Sequence, residues 1–168
     1  MAKDVRLNYL YLEPVTRSRF DTVCDELGWP SKGLVSQCCQ AFFKVNRDYY
    51  AQAAIADCKA RGMKETDYYK ALRDGSEDDL SPYLVERPLF GANPLATVPA
   101  VPTGKDNKRR YNTLTLSGYN ATLLKVAQIV DMGSLTMLVS RIVKQHFEGY
   151  WEKIYTPQLE LDKACKFK

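Results

Sequence analysis

The sequence predicts a mainly α-helical fold carrying a two-stranded antiparallel β-ribbon. Two short stretches, VRLNYLYL near the start and YNTLTL from Tyr111, alternate in hydrophobicity with the period of a half-buried strand. A short amphipathic helix, a turn and a longer helix follow each of them. Sliding the chain by 104 residues lays one such unit on the other without a gap, so that Leu10 and Leu12 fall on Leu114 and Leu116.

In the first strand, period-2 geometry puts Asn8, Leu10 and Leu12 on one face, read as inward, and Leu7, Tyr9 and Tyr11 on the other. Glu13-Pro14 ends it. Phe20, Val23, Cys24 and Leu27 recur at helical spacing, and Gly28 stops that helix. A second helix is expected after Trp29-Pro30-Ser31. Its stripe is Leu34, Val35, Cys38, Cys39, Phe42, Val45 and Tyr49, and it runs to about Gly62. KETDYYKALR, residues 64–73, reads as a third, short helix. An acidic stretch, DGSEDDLSPYLVE, follows. Residues 87–106 are too rich in proline for a helix or a central strand, and read as a linker draped over the fold through Leu89, Phe90 and Leu95.

The second strand places Asn112, Leu114 and Leu116 inward and Tyr111, Thr113 and Thr115 outward. A helix over 119–131, a turn at Met132-Gly133-Ser134 with Ser134 as N-cap, and a last helix from Leu135 to Ile154 complete the second unit. Thr156-Pro157 is expected to end it. The organisation expected is a first unit over 1–62, an insertion over 63–106, a second unit over 107–157 and a basic tail over 158–168. Both units belong to one globular domain.

Composition narrows the function. Hydrophobic residues make up 45% of the 168, enough for a packed core. No apolar run approaches the roughly 20 residues that span a bilayer. MAKDVRLNYL carries Asp4 and lacks the apolar centre of a secretion signal, so a soluble, cytoplasmic chain without a membrane partner is expected. The five cysteines form no C-x-x-C pair and read as reduced, mostly buried thiols; His146 is the single histidine. Neither a metal site, a cofactor nor a catalytic triad is expected, and no Gly-rich phosphate loop stands between a strand and a helix. An enzyme is therefore not expected. Charge is uneven: Lys3 and Arg6 precede the first strand, Lys105, Lys108, Arg109 and Arg110 precede the second, and residues 74–86 carry five acids and no base. Basic clusters of this kind either form a solvated face or meet a polyanion.

A lone strand has two unpaired edges, and strand, helix, turn, helix in about 45 residues cannot bury its own apolar face. Pairing with a second copy removes both problems, and here both copies lie in one chain. The strand ending in Leu12 or Leu116, the helix stop at Gly28 or Gly133, and the Leu34-Val35 and Leu138-Val139 pairs resemble the ribbon-helix-helix superfamily of the methionine and Arc repressors. The resemblance covers residues 3–50 and 107–155. It implies a tandem pseudo-dimer interrupted by a helical and Pro-rich insertion, and the fusion of two units in one chain is similar to that of relaxosome accessory proteins of F-type conjugative plasmids.

The resemblance implies sequence-specific double-stranded DNA as partner, read in the major groove by the ribbon's outer face. Base contacts would come from Tyr111, Thr113 and Thr115 in the second copy, and from Tyr9 and Tyr11 in the first. Phosphate contacts would come from Arg6, Lys108, Arg109 and Arg110. The N-termini of the two second helices would add more: Ser31, Lys32 and Gly33 in one, Ser134 and Leu135 in the other. Pro30 stands in the register position of Ser134, which predicts a first cap displaced by one residue. A repressor, or a partition or relaxosome accessory factor, is the function implied, with self-association along repeated sites through Tyr49, Tyr50, Tyr68 and Tyr69. The alternative is a protein-interaction adaptor or antitoxin-like module on the same fold, capturing a partner through residues 63–106. The apolar and aromatic outer face of the first strand favours that alternative.

Overall fold

The computed structural model describes residues 2–74, 91–131 and 133–166. In chain order the elements are β1 (Ala2–Arg6), β2 (Tyr9–Tyr11), α1 (Pro14–Leu27), α2 (Ser31–Ala60), α3 (Glu65–Asp74), β3 (Lys108–Arg110), β4 (Thr113–Ser117), α4 (Gly118–Asp131), α5 (Leu135–Tyr150) and α6 (Thr156–Lys166). A 3-10 turn over Lys105–Asn107 precedes β3, and a π-helical turn over Trp151–Tyr155 joins α5 to α6. The molecule is mainly helical, with two small antiparallel two-stranded sheets.

β1 pairs with β4 and β2 pairs with β3 in one continuous register: Arg6 faces Thr113 and Tyr9 faces Arg110. Between the sheets, Leu7 N donates to Asn112 O (3.0 Å) and Tyr111 N to Asn8 O (2.8 Å). The two sheets thus follow each other as one ribbon, broken in its middle. The break has a local cause. Asn8 takes φ of 53°, a left-handed conformation that asparagine tolerates better than most residues. One such residue interrupts the alternation of the strand, and every side chain beyond it changes face. Leu7 is buried on one side of the break, and Leu10 and Leu12 on the other.

Regular alternation therefore mispredicts the middle of the ribbon. Leu7, expected outside, is 2% exposed. Tyr111, its counterpart in the second copy, also packs against the core instead of facing out. Asn8 and Asn112, expected inside, are exposed. The four leucines that anchor the ribbon, Leu10, Leu12, Leu114 and Leu116, are buried as expected.

α1 and α4 each have 14 residues and, with the starts of α2 and α5, repeat at the same 104-residue offset. Gly28 ends α1 at φ of 74°, a conformation that costs a side chain and suits glycine. The second helix of each copy lies under the strand of the other: α2 packs against β4, and α5 against β2. α2 and α5 also pack on each other, burying Leu34, Val35, Cys38, Cys39 and Phe43 with Leu138, Val139, Ile142, Val143 and Phe147. The Phe20 and Phe147 rings meet edge-on, 6.1 Å between centroids. Each fully buried side chain of this size contributes about 1.5–3 kcal/mol. Lys144 Nζ bonds Glu13 Oε1 at 2.7 Å, fixing α5 to the junction between β2 and α1.

The insertion is tied to both copies. In α3, the Tyr68 hydroxyl donates to Asp57 Oδ2 (2.8 Å), and Arg61 Nε reaches the same carboxylate (2.9 Å). The Arg73 carbonyl near the end of α3 accepts from Lys3 Nζ (3.1 Å) and Lys125 Nζ (2.9 Å), cations that the negative end of a helix favours. The tyrosines proposed for self-association belong largely to this packing: Tyr50 and Tyr68 are buried, Tyr49 packs on the core, and Tyr69 is 41% exposed. Leu95 is buried as expected and is joined by Val98 and Val101. Arg141 holds this strap, donating to the Leu95 and Val98 carbonyls (2.6 and 2.9 Å). Leu89, Phe90 and nearly all of the acidic stretch lie outside the described residues.

Two helix boundaries differ from expectation. α2 begins at Ser31 with Pro30 as N-cap and no capping side chain, so the first cap keeps the register of Ser134 and is not displaced. Thr156-Pro157 does not terminate helical structure; it opens α6. The wider π turn ends just before it, so Pro157 occupies a first turn, where its missing N–H has no bond to lose.

Candidate nucleic-acid interface

The ribbon presents a polar outer face. From one end to the other it carries Asp4 beside Thr115, Arg6 beside Thr113, Asn8 and Asn112 at the break, Tyr9 beside Arg110, and Tyr11 beside Lys108. Asp4, Arg6, Asn8, Lys108, Arg110 and Asn112 are exposed; Tyr9, Tyr11, Thr113 and Thr115 are half-buried. Three cations against one carboxylate make this face electropositive, which suits a polyanion.

The cations differ in freedom. Arg6 Nε donates to Asn8 Oδ1 at 3.3 Å, leaving the rest of its guanidinium outward. Lys108 Nζ sits 4.2 Å from the Tyr9 ring centroid, and Tyr9 and Tyr11 meet edge-on at 5.4 Å. Both threonines lie on the expected face, but the Thr115 hydroxyl already donates to Asp4 Oδ1 at 2.8 Å.

Two residues expected in the interface are turned away from it. Arg109 lies over the Phe20 ring (4.7 Å) and pairs with Asp21. The alternation that puts Arg110 outside requires Arg109 to face the helices, where an aromatic face and a carboxylate neutralise it. Tyr111 donates its hydroxyl to Lys32 O at 3.2 Å, and burial raises its pKa well above the ordinary tyrosine value. It links the ribbon to the start of α2.

The N-termini of α2 and α5 are unlike. Ser134 caps α5 by accepting from Met137 N at 3.1 Å, with Leu135 half-buried behind it. Around the start of α2, Lys32 is exposed, Ser31 lies 3.8 Å from Cys24 Sγ, and Gly33 passes close under Pro30. A Cβ on Gly33 would come 3.2 Å from Pro30 Cγ, which is a reason for glycine there.

Sequence reasoning assigned no role to Ser36 and Ser140, although both follow the aligned Leu-Val pairs. Each closes an edge of the ribbon. Ser36 Oγ donates to the Thr115 carbonyl at 2.9 Å, and Ser140 Oγ accepts from Tyr11 N at 3.0 Å. Thr115 and Tyr11 stand at the same 104-residue offset as the serines themselves.

Among the described residues no three His, Cys, Asp or Glu side chains come together as a metal site, and no single helix is long and apolar enough to cross a membrane. Neither a protein-family model, a curated protein nor a solved structure matches this chain.

Proposed function

We propose that the chain is a sequence-specific double-stranded DNA-binding protein, built as two ribbon-helix-helix units paired within one chain. The observation that carries the reading is the ribbon itself. Its leucines point into a helical core, its two strands come from units at a fixed 104-residue offset, and its outer face displays Arg6, Lys108 and Arg110 among hydroxyl and amide side chains. A two-stranded antiparallel ribbon of this width fits the roughly 12 Å major groove. Thr113, Tyr9 and Tyr11 then face base edges. Lys108, Arg6 and Arg110 lie within reach of base edges or phosphates, and the N-termini of α2 and α5 offer N–H groups to the backbone. Repression, or service as a partition or relaxosome accessory factor, is the biological setting that fits such a module.

Fluorescence anisotropy with a mixed-sequence duplex across a salt series tests the reading. Affinity is expected to fall steeply with salt, because each phosphate neutralised releases counterions. A second reading, a protein-interaction adaptor on the same fold, is favoured by the Tyr9–Tyr11 ring pair on the outer face. Absence of duplex binding at low salt would decide for it.

A further inference from the structure

Resting on the DNA-binding reading, we infer that the duplex recognised by this ribbon has a two-fold symmetric centre and unlike flanks. The centre is read by Arg6 with Asn8 and by Arg110 with Asn112.

The register carries the inference. Exchanging each residue with its counterpart at the 104-residue offset turns the pair Arg6–Thr113 into the pair Arg110–Tyr9, and Leu7–Asn112 into Tyr111–Asn8. The ribbon therefore has a local dyad at its break. On either side of that dyad the outermost side chains are the same, arginine and asparagine, and all four are exposed. Asn8 turns outward with a left-handed backbone, whereas Asn112 is exposed without one, so the two strands break alternation by different backbone routes and still present the same pair of side chains.

Their chemistry specifies purines. An asparagine amide matches the N6 donor and N7 acceptor of adenine, and a guanidinium matches guanine O6 and N7. Arg6 Nε holds Asn8 Oδ1 at 3.3 Å. That contact leaves the terminal guanidinium nitrogens of Arg6, and the second lone pair of Asn8 Oδ1 with its amide N–H groups, for bases. Two like readers related by a dyad call for one guanine–adenine preference repeated on the opposite strand.

Away from the centre the symmetry fails. Tyr9 and Tyr11 occupy the positions that Thr113 and Thr115 hold in the other copy, and Asp4 stands where the other copy has Lys108. One flank meets two rings and a lysine. The other meets two hydroxyls and a carboxylate, which repels phosphate and can accept from cytosine N4. A dimer of identical chains has no such difference between its halves.

Selection of bound duplexes from a random pool, followed by affinity measurements on the winning site, tests this. The expected consensus has an inverted purine pair at its centre and dissimilar sequences on either side. Asn8→Gly, which keeps the left-handed backbone, combined with Asn112→Ala should lose the adenine preference in both central halves, by about tenfold or more. Arg6→Ala with Arg110→Ala should do the same to the guanine preference. Thr113→Ala should alter one flank only. Circular dichroism checks that each variant is folded, and Asn112→Ala alone, which leaves the left-handed Asn8 in place, serves if the double variant is not. A consensus without central symmetry, palindromic flanks, or a central preference that survives the asparagine changes would overturn the inference while leaving DNA binding intact. A pool in which no duplex is retained at low salt overturns the DNA-binding reading and the inference with it.

Discussion

Ser140 Oγ accepts the backbone N–H of Tyr11 at 3.0 Å, so a helix of the second copy closes the strand edge of the first. The reciprocal contact, Ser36 Oγ to the Thr115 carbonyl at 2.9 Å, closes the other edge. A two-stranded ribbon has only edges, and exposed edges invite pairing with other chains. Here the helices that carry the core take up one backbone group on each edge, which ties ribbon formation to helix packing.

The two serines should not be equivalent on mutation. Ser140→Ala strands a backbone N–H beside a buried site, which costs about 1–3 kcal/mol. Ser36→Ala removes a donor from a carbonyl, a group more often left under-satisfied. Urea unfolding of both variants should place Ser140→Ala below Ser36→Ala in stability. Equal midpoints would contradict the geometry.

Much of this architecture is legible in the residues. Leu10, Leu12, Leu114 and Leu116 alternate as an inward face must, and Gly28 announces its helix stop. Leu34-Val35-Ser36 aligns with Leu138-Val139-Ser140 at the 104-residue offset. What alternation cannot show is where it fails. Asn8 resets the face of its own strand, so Leu7 goes in and Asn8 comes out; on the partner strand Tyr111 packs inward and Asn112 is exposed beside the same break. Asparagine is among the few residues that accept a left-handed backbone, so Asn8 is the signal for a break in the first strand, whereas Asn112 takes no such conformation and the second strand carries no equivalent signal. The inward turn of half-buried Arg109 belongs to the same break in alternation. Pro157 misled for another reason: proline forbids a helix interior but not a first turn, and the π turn supplies one.

Burial of the ribbon leucines sets a second expectation. Leu114 is fully buried, so Leu114→Ala should lose about 2–5 kcal/mol. Leu114→Asp puts a charge on the buried apolar face of the ribbon, where desolvation is costly, and should abolish the cooperative transition. A thermal transition near that of the wild type in Leu114→Asp would refute the register.

Acid should weaken the fold through His146. Its ring lies 2.7 Å from the Tyr155 hydroxyl, and burial lowers its pKa from 6.5 to about 4. The unfolded chain thus binds this proton more readily than the folded one. The stability that neutral His146 confers is complete above pH 6.5, falls as pH drops through that value and is lost by about pH 4. Its full size is about 3 kcal/mol. His146→Gln keeps a polar partner for Tyr155 without titrating. Between pH 7 and pH 4 it should lose less stability than the wild type, and parallel pH profiles would remove the assignment.

Arg141 should control the strap independently of the core. Its guanidinium bonds the Leu95 and Val98 carbonyls and lies 4.0 Å from Asp131. Arg141→Leu keeps apolar bulk but loses those bonds. Limited proteolysis should then cut between residues 91 and 104 much faster, while the main unfolding transition moves less than it does in Leu114→Ala. Unchanged cleavage would mean that Leu95, Val98 and Val101 hold the strap by packing alone.

The neighbouring arginines of β3 separate folding from binding. Arg110 is exposed on the outer face, whereas Arg109 is half-buried over Phe20 and paired with Asp21. Under the proposed function, Arg110→Ala should lower the salt dependence of duplex binding by about one unit if it meets a phosphate. If it meets guanine, site discrimination should fall by about 1–3 kcal/mol instead. Its unfolding midpoint should barely change. Arg109→Ala should behave in the opposite way, losing about 1 kcal/mol of stability with its cation–π contact and ion pair. Its salt slope and site preference should match the wild type. Both variants are measured by urea unfolding and by anisotropy across a salt series. If Arg109→Ala changes the salt slope as much as Arg110→Ala does, the face assignment on β3 is wrong, because only one of two adjacent strand residues can point into a groove.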